Sequence, residues 1–460
     1  MKEYVLVALT HCNPRWVRIY SEIIADYQSR GASLCLLDFS DSMFPVRRTR
    51  FFSKWLRQYA TSQNVTVWSP GELLQRIEFL EADLPGYSKS EFFSYFRDDN
   101  PTGLLAKRFL KAQMKTAQRV RQEFSNLLRQ LNCRELYIPN GRGFIHNLIS
   151  EIADSSDSNV DILYLETAAP HNPLGDRYFS APYPIHNRVA RQAQIGLKVL
   201  DENLIRKLSD LWLEPRMQPK SRLNAFSAHW SSQTFEMNYQ NVFFTSSTDE
   251  YWSLGDEWHI DEWEDQYEAF DYVLHKLEQM GESSFALRIH PNLLNKSFRF
   301  AKREFSRIEW ITKRHKDLFV ILPHEPINSY ALMEKASRVF VSMSTIGLEA
   351  SAAGKSVWCT SATSYDRTAD IRQLLGREQV NDADLNPWSV NMTMARKWVA
   401  YFLLEGRLHE HFISRIYPSK LSTFPLRSLG FRTLSVVRSR LDRRRNFRLS
   451  KVYGRKNRFD

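Results

Sequence analysis

The feature that most constrains this chain is an alternation of short apolar runs with longer segments of helical periodicity, and it occurs twice. Such an alternation is typical of βαβ units built around a parallel sheet. In the first half the predicted strands are residues 4–9, 34–39, 65–68, 135–138 and 160–165. Between them, residues 15–30 and a strongly basic segment, 104–131, are predicted as helices.

A second series follows a weakly patterned stretch, residues 214–239, which contains Pro215 and Pro219. Its predicted strands are 241–245, 285–289, 318–322, 338–341 and 356–360, and its predicted helices are 262–280, 297–315, 328–336 and 346–353. A chain of 460 residues is too long for one ordinary core, so the two series predict two domains. The predicted fold class is α/β, with two doubly wound, Rossmann-like domains that face a central cleft.

The predicted domain boundaries follow from this pattern. The first domain covers 1–213, a linker covers 214–239, the second domain covers 240–430, and a basic tail covers 431–460. The formal net charge of +11 is partly local, because ten Lys or Arg residues lie between Arg438 and Arg458. Such a tail attracts anionic lipid, at roughly 1 kcal/mol per basic residue, or nucleic acid, unless it is merely solvated. No run approaches the roughly 20 apolar residues that span a bilayer, and the polar start does not resemble a signal peptide, which predicts a cytoplasmic protein.

The four cysteines are far apart in sequence, and their spacing fits neither a disulfide framework nor a zinc motif. They are predicted to be small buried thiols.

The strongest local motif is the run Arg288-Ile289-His290-Pro291-Asn292, directly after a predicted strand. The proline stops the strand and leaves the imidazole at the carboxyl edge of the sheet, where ligands of open α/β sheets bind. A histidine there can donate a hydrogen bond to a phosphate, although a purely structural hydrogen bond is the alternative.

A second motif follows the predicted strand 338–341 and reads Ser-Met-Ser-Thr-Ile-Gly-Leu-Glu-Ala. Its Ser344 and Thr345 lie at a predicted helix start, where backbone N–H groups and the helix dipole favour an anion. Glu349 lies about one turn later, at a position from which it can accept hydrogen bonds from ribose hydroxyls. The alternative is that these side chains only cap the helix.

Together the two motifs, Arg-x-His-Pro and then Ser-Thr-x-Gly-x-Glu-Ala followed by Gly-Lys, resemble the donor-binding lobe of GT-B glycosyltransferases. The sequence is most similar to capsular polysaccharide transferases of the Kdo-transferase type, and more loosely to bacterial sialyltransferases and CDP-glycerol glycerophosphotransferases. The resemblance covers residues 241–360. It implies that the nucleotide of a CMP- or CDP-activated sugar is bound by His290, Ser344, Thr345 and Glu349, while a UDP-sugar remains an alternative donor. Arg288 is a further candidate for the phosphate contact.

The resemblance covers the first half only by architecture, and we expect this lobe to bind the acceptor, a lipid-linked glycan or a growing surface polysaccharide. Polar residues follow its predicted strands: Asn140 and Arg142 are candidates for contacts with the acceptor, and Glu166 is a candidate general base. His11 and Asp249 follow the first strand of each lobe and are further catalytic candidates. For each of these residues a salt bridge or a loop contact is the alternative.

Other catalytic patterns are weak. Gly354-Lys355-Ser356 resembles the end of a Walker motif, but Glu349 stands where the first glycine of that motif belongs. The Asp382-Ala383-Asp384 run does not follow an apolar strand that would direct it towards a metal ion. We therefore expect a metal-independent transferase with no cofactor besides its donor, associated with the inner-membrane surface through the basic tail and not with nucleic acid. A nucleotide-sugar epimerase of related fold and a nucleic-acid-binding protein that uses the tail are the alternatives.

Overall fold

A computed structural model of the full chain shows two α/β lobes, each built around one sheet. The structure describes residues 3–9, 14–39, 49–70, 96–98, 102–141, 143–155, 159–167, 172–174, 177–184, 186–217, 238–247, 258, 261–408 and 429–456. In the first lobe the strands are β1 (Glu3–Leu9), β2 (Ser33–Asp38), β3 (Thr66–Trp68), β4 (Asn132–Pro139), β5 (Asp161–Thr167) and β6 (Arg177–Ala181). The helices of this part are α1 (Pro14–Ser29), α2 (Thr49–Ser62), α3 (Leu104–Gln130) and α4 (Phe144–Asp154).

Two helices, α5 (Arg188–Leu197) and α6 (Glu202–Met217), lead towards the second lobe. Its strands are β7 (Asn241–Phe244), β8 (Phe285–Arg288), β9 (Leu318–Ile321), β10 (Arg338–Val341), β11 (Ser356–Cys359) and β12 (Arg372–Gln373). Its helices are α7 (Gln266–Gln279), α8 (Phe298–Arg314), α9 (Ser329–Lys335), α10 (Ile346–Ala352), α11 (Arg377–Asp382) and α12 (Met392–Leu404). A short strand, β13 (Arg407–Leu408), and a long helix, α13 (Leu429–Lys456), follow.

Apart from the additional strand β13, both sheets have the same strand order. The second sheet runs β12-β11-β10-β7-β8-β9, and the first runs β13-β6-β5-β4-β1-β2-β3. In each, the first strand of the lobe lies in the middle and the order reverses beside it, which is the Rossmann arrangement. In open α/β sheets such a reversal opens a crevice at the carboxyl edge, and here the reversals lie between β1 and β4 in one lobe and between β7 and β10 in the other. Residues that follow these four strands are therefore the best-placed candidates for ligand binding.

The strands of the second lobe are short and buried on both faces, because helices cover both sides of the sheet. Every residue of β7, β8, β10 and β11 is buried. Phe243 stacks on Phe340, with 4.5 Å between ring centroids, and Phe340 stacks on Trp358. The aromatic side chains of three adjacent strands therefore form one continuous layer on one face.

The predicted fold class, α/β with two doubly wound, Rossmann-like lobes, is confirmed, and each predicted strand is present, with its N-terminal end within three residues and its C-terminal end within two residues of the observed ends. The sequence pattern predicts the parallel pairing of these sheets but does not predict the antiparallel strands at one edge of the first sheet. There β6 runs antiparallel to β5, and β13 runs antiparallel to β6. The returning strand 407–408 supplies hydrogen bonds to an edge that would otherwise be open, which is a common way of covering a sheet edge.

The region around the predicted junction differs in detail from the expectation. Helix α6 continues through Pro215 to Met217, whereas residues 218–237 lie outside the described part. Its last turn is held by Arg216, whose guanidinium donates a 2.9 Å hydrogen bond to the Trp212 carbonyl and lies over the Trp212 ring. These contacts offset the hydrogen bond that a proline removes from a helix. The domain boundaries themselves stay a prediction.

The basic C-terminal segment is a helix rather than an extended tail. Asn446, Ser450 and Tyr453 of α13 are buried, and α13 packs on α8 of the second lobe. Within the described ranges, no helix is both long enough and apolar enough to cross a bilayer. Cys35, Cys133 and Cys359 are buried free thiols, as predicted, and Cys12 lies outside the described residues.

Candidate functional site

Three loops meet at the carboxyl edge of the second sheet. Phe244, the last residue of β7, is level with Arg288 at the end of β8 and with Val341 at the end of β10. The loop after β7 therefore lies between the two sequence motifs. Its Ser246 hydroxyl accepts a 3.1 Å hydrogen bond from the Met343 N–H, and its Ser247 hydroxyl lies 3.4 Å from Nδ1 of His290. One loop thus connects the His-Pro motif to the Ser-Thr motif.

His290 is held in a defined orientation by its neighbours. Its backbone N–H donates to the Thr245 hydroxyl at 2.8 Å, and its Nδ1 accepts from the Asn292 N–H at 3.2 Å. Because Nδ1 acts as an acceptor, a neutral imidazole carries its proton on Nε2. Burial, together with nearby Lys296 and Arg288, lowers the pKa of His290 to about 4. At neutral pH the residue is therefore a neutral hydrogen-bond donor and not a cation.

The second motif forms a tight turn before α10. The Ser344 carbonyl accepts hydrogen bonds from the Gly347 N–H at 3.1 Å and from the Tyr365 hydroxyl at 2.6 Å. Thr345 is exposed, and its side chain makes no capping hydrogen bond, so capping does not account for this hydroxyl. Ser344 is half-buried. These two hydroxyl-bearing residues directly follow Met343, whose N–H contacts the loop that lies beside His290.

Arg288 and Glu349 are occupied by protein groups. The buried guanidinium of Arg288 donates to the carbonyls of Leu322 at 2.7 Å and Glu325 at 3.4 Å. The Glu349 carboxylate accepts from the Trp212 indole at 3.1 Å and the Tyr330 hydroxyl at 2.8 Å, and burial raises its pKa. These contacts hold the loop after β9 and join α6 to α10. A ribose contact by Glu349 and a phosphate contact by Arg288 stay predictions.

In the first lobe the structure places two of the predicted residues. Asn140 follows β4 in a left-handed conformation, with φ of 37°, and its N–H donates to the Leu165 carbonyl. Glu166 lies on β5, half-buried, and accepts hydrogen bonds from the N–H and hydroxyl of Thr167. Both lie at the carboxyl edge of the sheet, as predicted. Arg142, His11 and Asp249 lie outside the described residues, and their roles stay predictions.

Sequence reasoning did not identify the residues that support the Ser-Thr turn. Arg188 of α5 forms a buried ion pair with Asp366, at 2.7 Å, and Gln192 donates to the same carboxylate. Asp366 accepts from the Thr363 N–H, which anchors the loop that carries Tyr365. The signal that could have found Ser246 and Ser247 is their position, because they follow the first strand of the lobe at the topological switch point. The Arg188 pair has no such signal, since its partners are 178 residues apart.

The described residues contain no cluster of three or more His, Cys, Asp or Glu side chains that could hold a metal ion.

No protein-family model matches the sequence, and no curated protein matches it significantly. Among solved structures, the chain is similar to KpsC, beta Kdo 2,4 transferase, of Thermosulfurimonas dismutans, at 14% identity and a TM-score of 0.38, over 59% of this chain and 79% of that one. For the beta Kdo 2,7 transferase of KpsC from the same organism, the identity is 13% and the TM-score is 0.35, over 61% of this chain and 79% of that one. For the UDP-GlcNAc 2-epimerase of Neisseria meningitidis, the identity is 11% and the TM-score is 0.27, over 88% of this chain and 100% of that one. Similarities of this size assign no activity.

Proposed function

We propose that this protein is a glycosyltransferase with the two-lobe GT-B architecture, which moves a sugar from a nucleotide-activated donor to a growing bacterial surface polysaccharide. The observation that supports it best is the meeting of the His290 loop, the Ser246–Ser247 loop and the Ser344–Thr345 turn at one switch point. A crevice at this place, with donors from three strands, suits a phosphate-linked ligand. A CMP- or CDP-activated sugar is the favoured donor, and a UDP-sugar is the alternative.

The proposed chemistry follows from the charge that develops during transfer. When the glycosidic bond to the nucleotide breaks, negative charge builds on the leaving phosphate. Nε2–H of His290 and the hydroxyls of Ser344 and Thr345 would donate hydrogen bonds to it, in positions fixed before the reaction begins. Such preorganised donors stabilise the leaving group without a metal ion, and the donor nucleotide is the only small molecule that this mechanism requires.

The acceptor is proposed to enter across the first lobe, where Glu166 is the candidate base that removes the proton from the acceptor hydroxyl. Asn140 and Arg142 are proposed to bind the acceptor, and His11 and Asp249 remain candidates for the base. The acceptor is a lipid-linked glycan or a polysaccharide end, so the proposed location is the cytoplasmic face of the inner membrane, with the basic C-terminal segment towards its anionic lipids.

A thermal-shift screen with CMP, CDP, UDP and GDP tests the proposal. A ligand at about 100 times its Kd stabilises the folded state by about 2.7 kcal/mol, so the cognate nucleotide should raise the melting temperature clearly above the others. Activated sugars of the winning nucleotide are then incubated with and without glycan acceptors. Nucleotide release that depends on the acceptor is expected, whereas conversion of the donor sugar without any acceptor would identify an epimerase. A protein that none of the four nucleotides stabilises would contradict the proposal.

A further inference from the structure

Helix α13 has an inward face that is built into the second lobe. Asn446, Ser450 and Tyr453 are buried and follow one another at intervals of four and three residues, so they share one side of the helix. The Ser450 hydroxyl lies 2.7 Å from His324 Nδ1, and the Tyr453 hydroxyl lies 3.1 Å from the Thr312 hydroxyl. These polar and aromatic contacts hold the helix in one orientation.

The opposite side of α13 is basic and exposed. Arg440, Arg444, Arg448 and Lys451 are all exposed and follow at intervals of four, four and three residues, so they form one stripe along the helix. Leu441 and Val452 are also exposed, at 45% and 62%, and their separation of about three helical turns places both on the same side of the helix as Arg448. We call these six residues the outward face of α13.

We propose that the outward face of α13 is a docking surface for an anionic lipid membrane. Guanidinium and ammonium groups fit the negative headgroups, and the two aliphatic side chains between them fit the boundary of the acyl layer. A nucleic acid would pair with the cations but would leave Leu441 and Val452 in contact with water. The mixture of charge and aliphatic surface therefore favours a lipid surface over a polyanion that lacks an apolar layer.

Docking through this face would place the candidate donor site close to the lipid surface. The Asn446 amide, on the inward face, donates to the carbonyls of Lys296 at 2.9 Å and Leu294 at 3.4 Å. These carbonyls belong to the segment that begins at His290 and forms the 3-10 helix Pro291–Asn295. If the proposed function is correct, the helix that meets the membrane also holds the loop that binds the donor, next to the place where a lipid-linked acceptor would be.

Vesicle flotation tests the docking surface without any measurement of activity. The full-length protein is mixed with vesicles of phosphatidylcholine alone or of an equimolar mixture with phosphatidylglycerol. The comparison uses the triple variant Arg444→Gln, Lys451→Gln and Arg448→Gln, whose melting temperature is checked first. Each lost charge is expected to lower membrane partitioning about fivefold, so the triple variant should bind anionic vesicles about a hundredfold more weakly.

A matched control removes the same charge from a different exposed helix face, with Lys107→Gln, Lys111→Gln and Lys115→Gln in α3. The proposal expects this control to float like the wild type with anionic vesicles, and the wild type not to float with neutral ones. Equal binding to neutral vesicles, an unchanged α13 variant or an equal loss in the α3 control would overturn it. So would a wild type that ignores anionic vesicles but binds duplex DNA or RNA through the same residues. None of these results depends on catalysis, so failure of the docking surface is distinguishable from failure of the transferase proposal.

Discussion

The hydroxyl of Tyr365 donates a 2.6 Å hydrogen bond to the carbonyl of Ser344, and this contact ties the loop after β11 to the Ser-Thr turn after β10. Tyr365 is fully buried, and burial raises its pKa well above the usual value, so the hydroxyl keeps its proton and remains a donor. The same hydroxyl lies where a side chain at position 347 would begin. Tyr365, which lies outside the sequence motifs, and Gly347, which lies within the second motif, thus determine the shape of the turn together.

Replacing Tyr365→Phe should loosen this turn. The loss of one hydrogen bond, which leaves a carbonyl partly unsatisfied, is expected to lower the free energy of unfolding by about 1 kcal/mol and to weaken nucleotide binding severalfold. Calorimetric titration with the nucleotide chosen by thermal shift measures the second effect. Tyr453→Phe is the control, because it removes a hydroxyl contact of the same kind on α13. If both variants bind nucleotide equally well, Tyr365 is a core residue without a positioning role.

Gly347→Ala should destabilise the protein through a steric conflict. A Cβ at this position would lie 2.3 Å from the Tyr365 hydroxyl and 2.9 Å from Val341 Cγ2, and overpacking of this kind costs about 1–3 kcal/mol. Gly196→Ala is the control, since nothing lies within 4 Å of its Cβ position and alanine favours the helix. Chemical denaturation should show opposite signs for the two variants. In the double variant, Tyr365→Phe removes the nearest clashing atom, so a strictly additive loss would speak against this contact.

His290→Ala should depress turnover while the fold persists. Loss of one preorganised donor to a developing negative charge typically costs about 2.7–4 kcal/mol in the barrier, which corresponds to roughly a hundredfold to a thousandfold in kcat. Steady-state kinetics with the activated sugar selected by the thermal-shift screen measures this loss in kcat. His275→Ala provides the control, because His275 is an exposed residue of α7. A fully active His290→Ala enzyme would show that His290 is not part of the catalytic site.

The acid sensitivity of the fold should also depend on His290. Its pKa is about 4 in the folded protein and about 6.5 in an unfolded chain, so the unfolded chain binds more protons between these values. The stability that the neutral imidazole contributes is complete above about pH 6.5 and is lost as the pH falls towards 4. His290→Gln should therefore flatten the fall of the melting temperature across this window.

His315 supplies a control of opposite sign for that experiment. Burial alone would lower its pKa, but hydrogen bonds to Asp271 and Glu278 outweigh burial and raise it. The stability that charged His315 contributes is fully present below its pKa in the unfolded chain, and it is lost as the pH rises through its pKa in the folded protein. His315→Gln should therefore change stability mainly at acidic and neutral pH. An identical pH profile for wild type and His290→Gln would contradict the lowered pKa and neutral state of the half-buried His290.

The buried pair of Arg188 and Asp366 should be costly to break on one side only. Asp366→Leu leaves a buried guanidinium without its carboxylate, which typically costs about 3–5 kcal/mol. Arg188→Met together with Asp366→Leu removes both charges and should recover much of that loss, as a double-mutant cycle by denaturation will measure. Arg30→Met is the control, because its ion pair with Asp26 is exposed and contributes little. Additive losses in the cycle would show that the pair does not couple the two elements.

Much of the fold follows from periodicity alone. Strand β10 was predicted at its observed bounds, and β7 and β11 differ only by one residue at their C-terminal ends, because an apolar run between turn residues has few alternatives in a sheet buried on both faces. The position of His290 at a strand end was also predictable, since the proline that follows cannot continue the strand. What periodicity did not reveal is the pair of antiparallel edge strands, β6 and β13, because β13 pairs with a segment more than two hundred residues away.

The candidate site divides in the same way. The strand ends, the turn residues and therefore the row of polar side chains along one sheet edge follow from local sequence, because strand ends depend on nearest neighbours. The long-range contacts came from the tertiary structure: it brought Ser246 and Ser247 between the two motifs, paired Arg288 and Glu349 with protein groups, and joined the Tyr365 hydroxyl to the Ser344 carbonyl. These contacts join residues far apart in the chain, and their burial follows from packing, which no local pattern records.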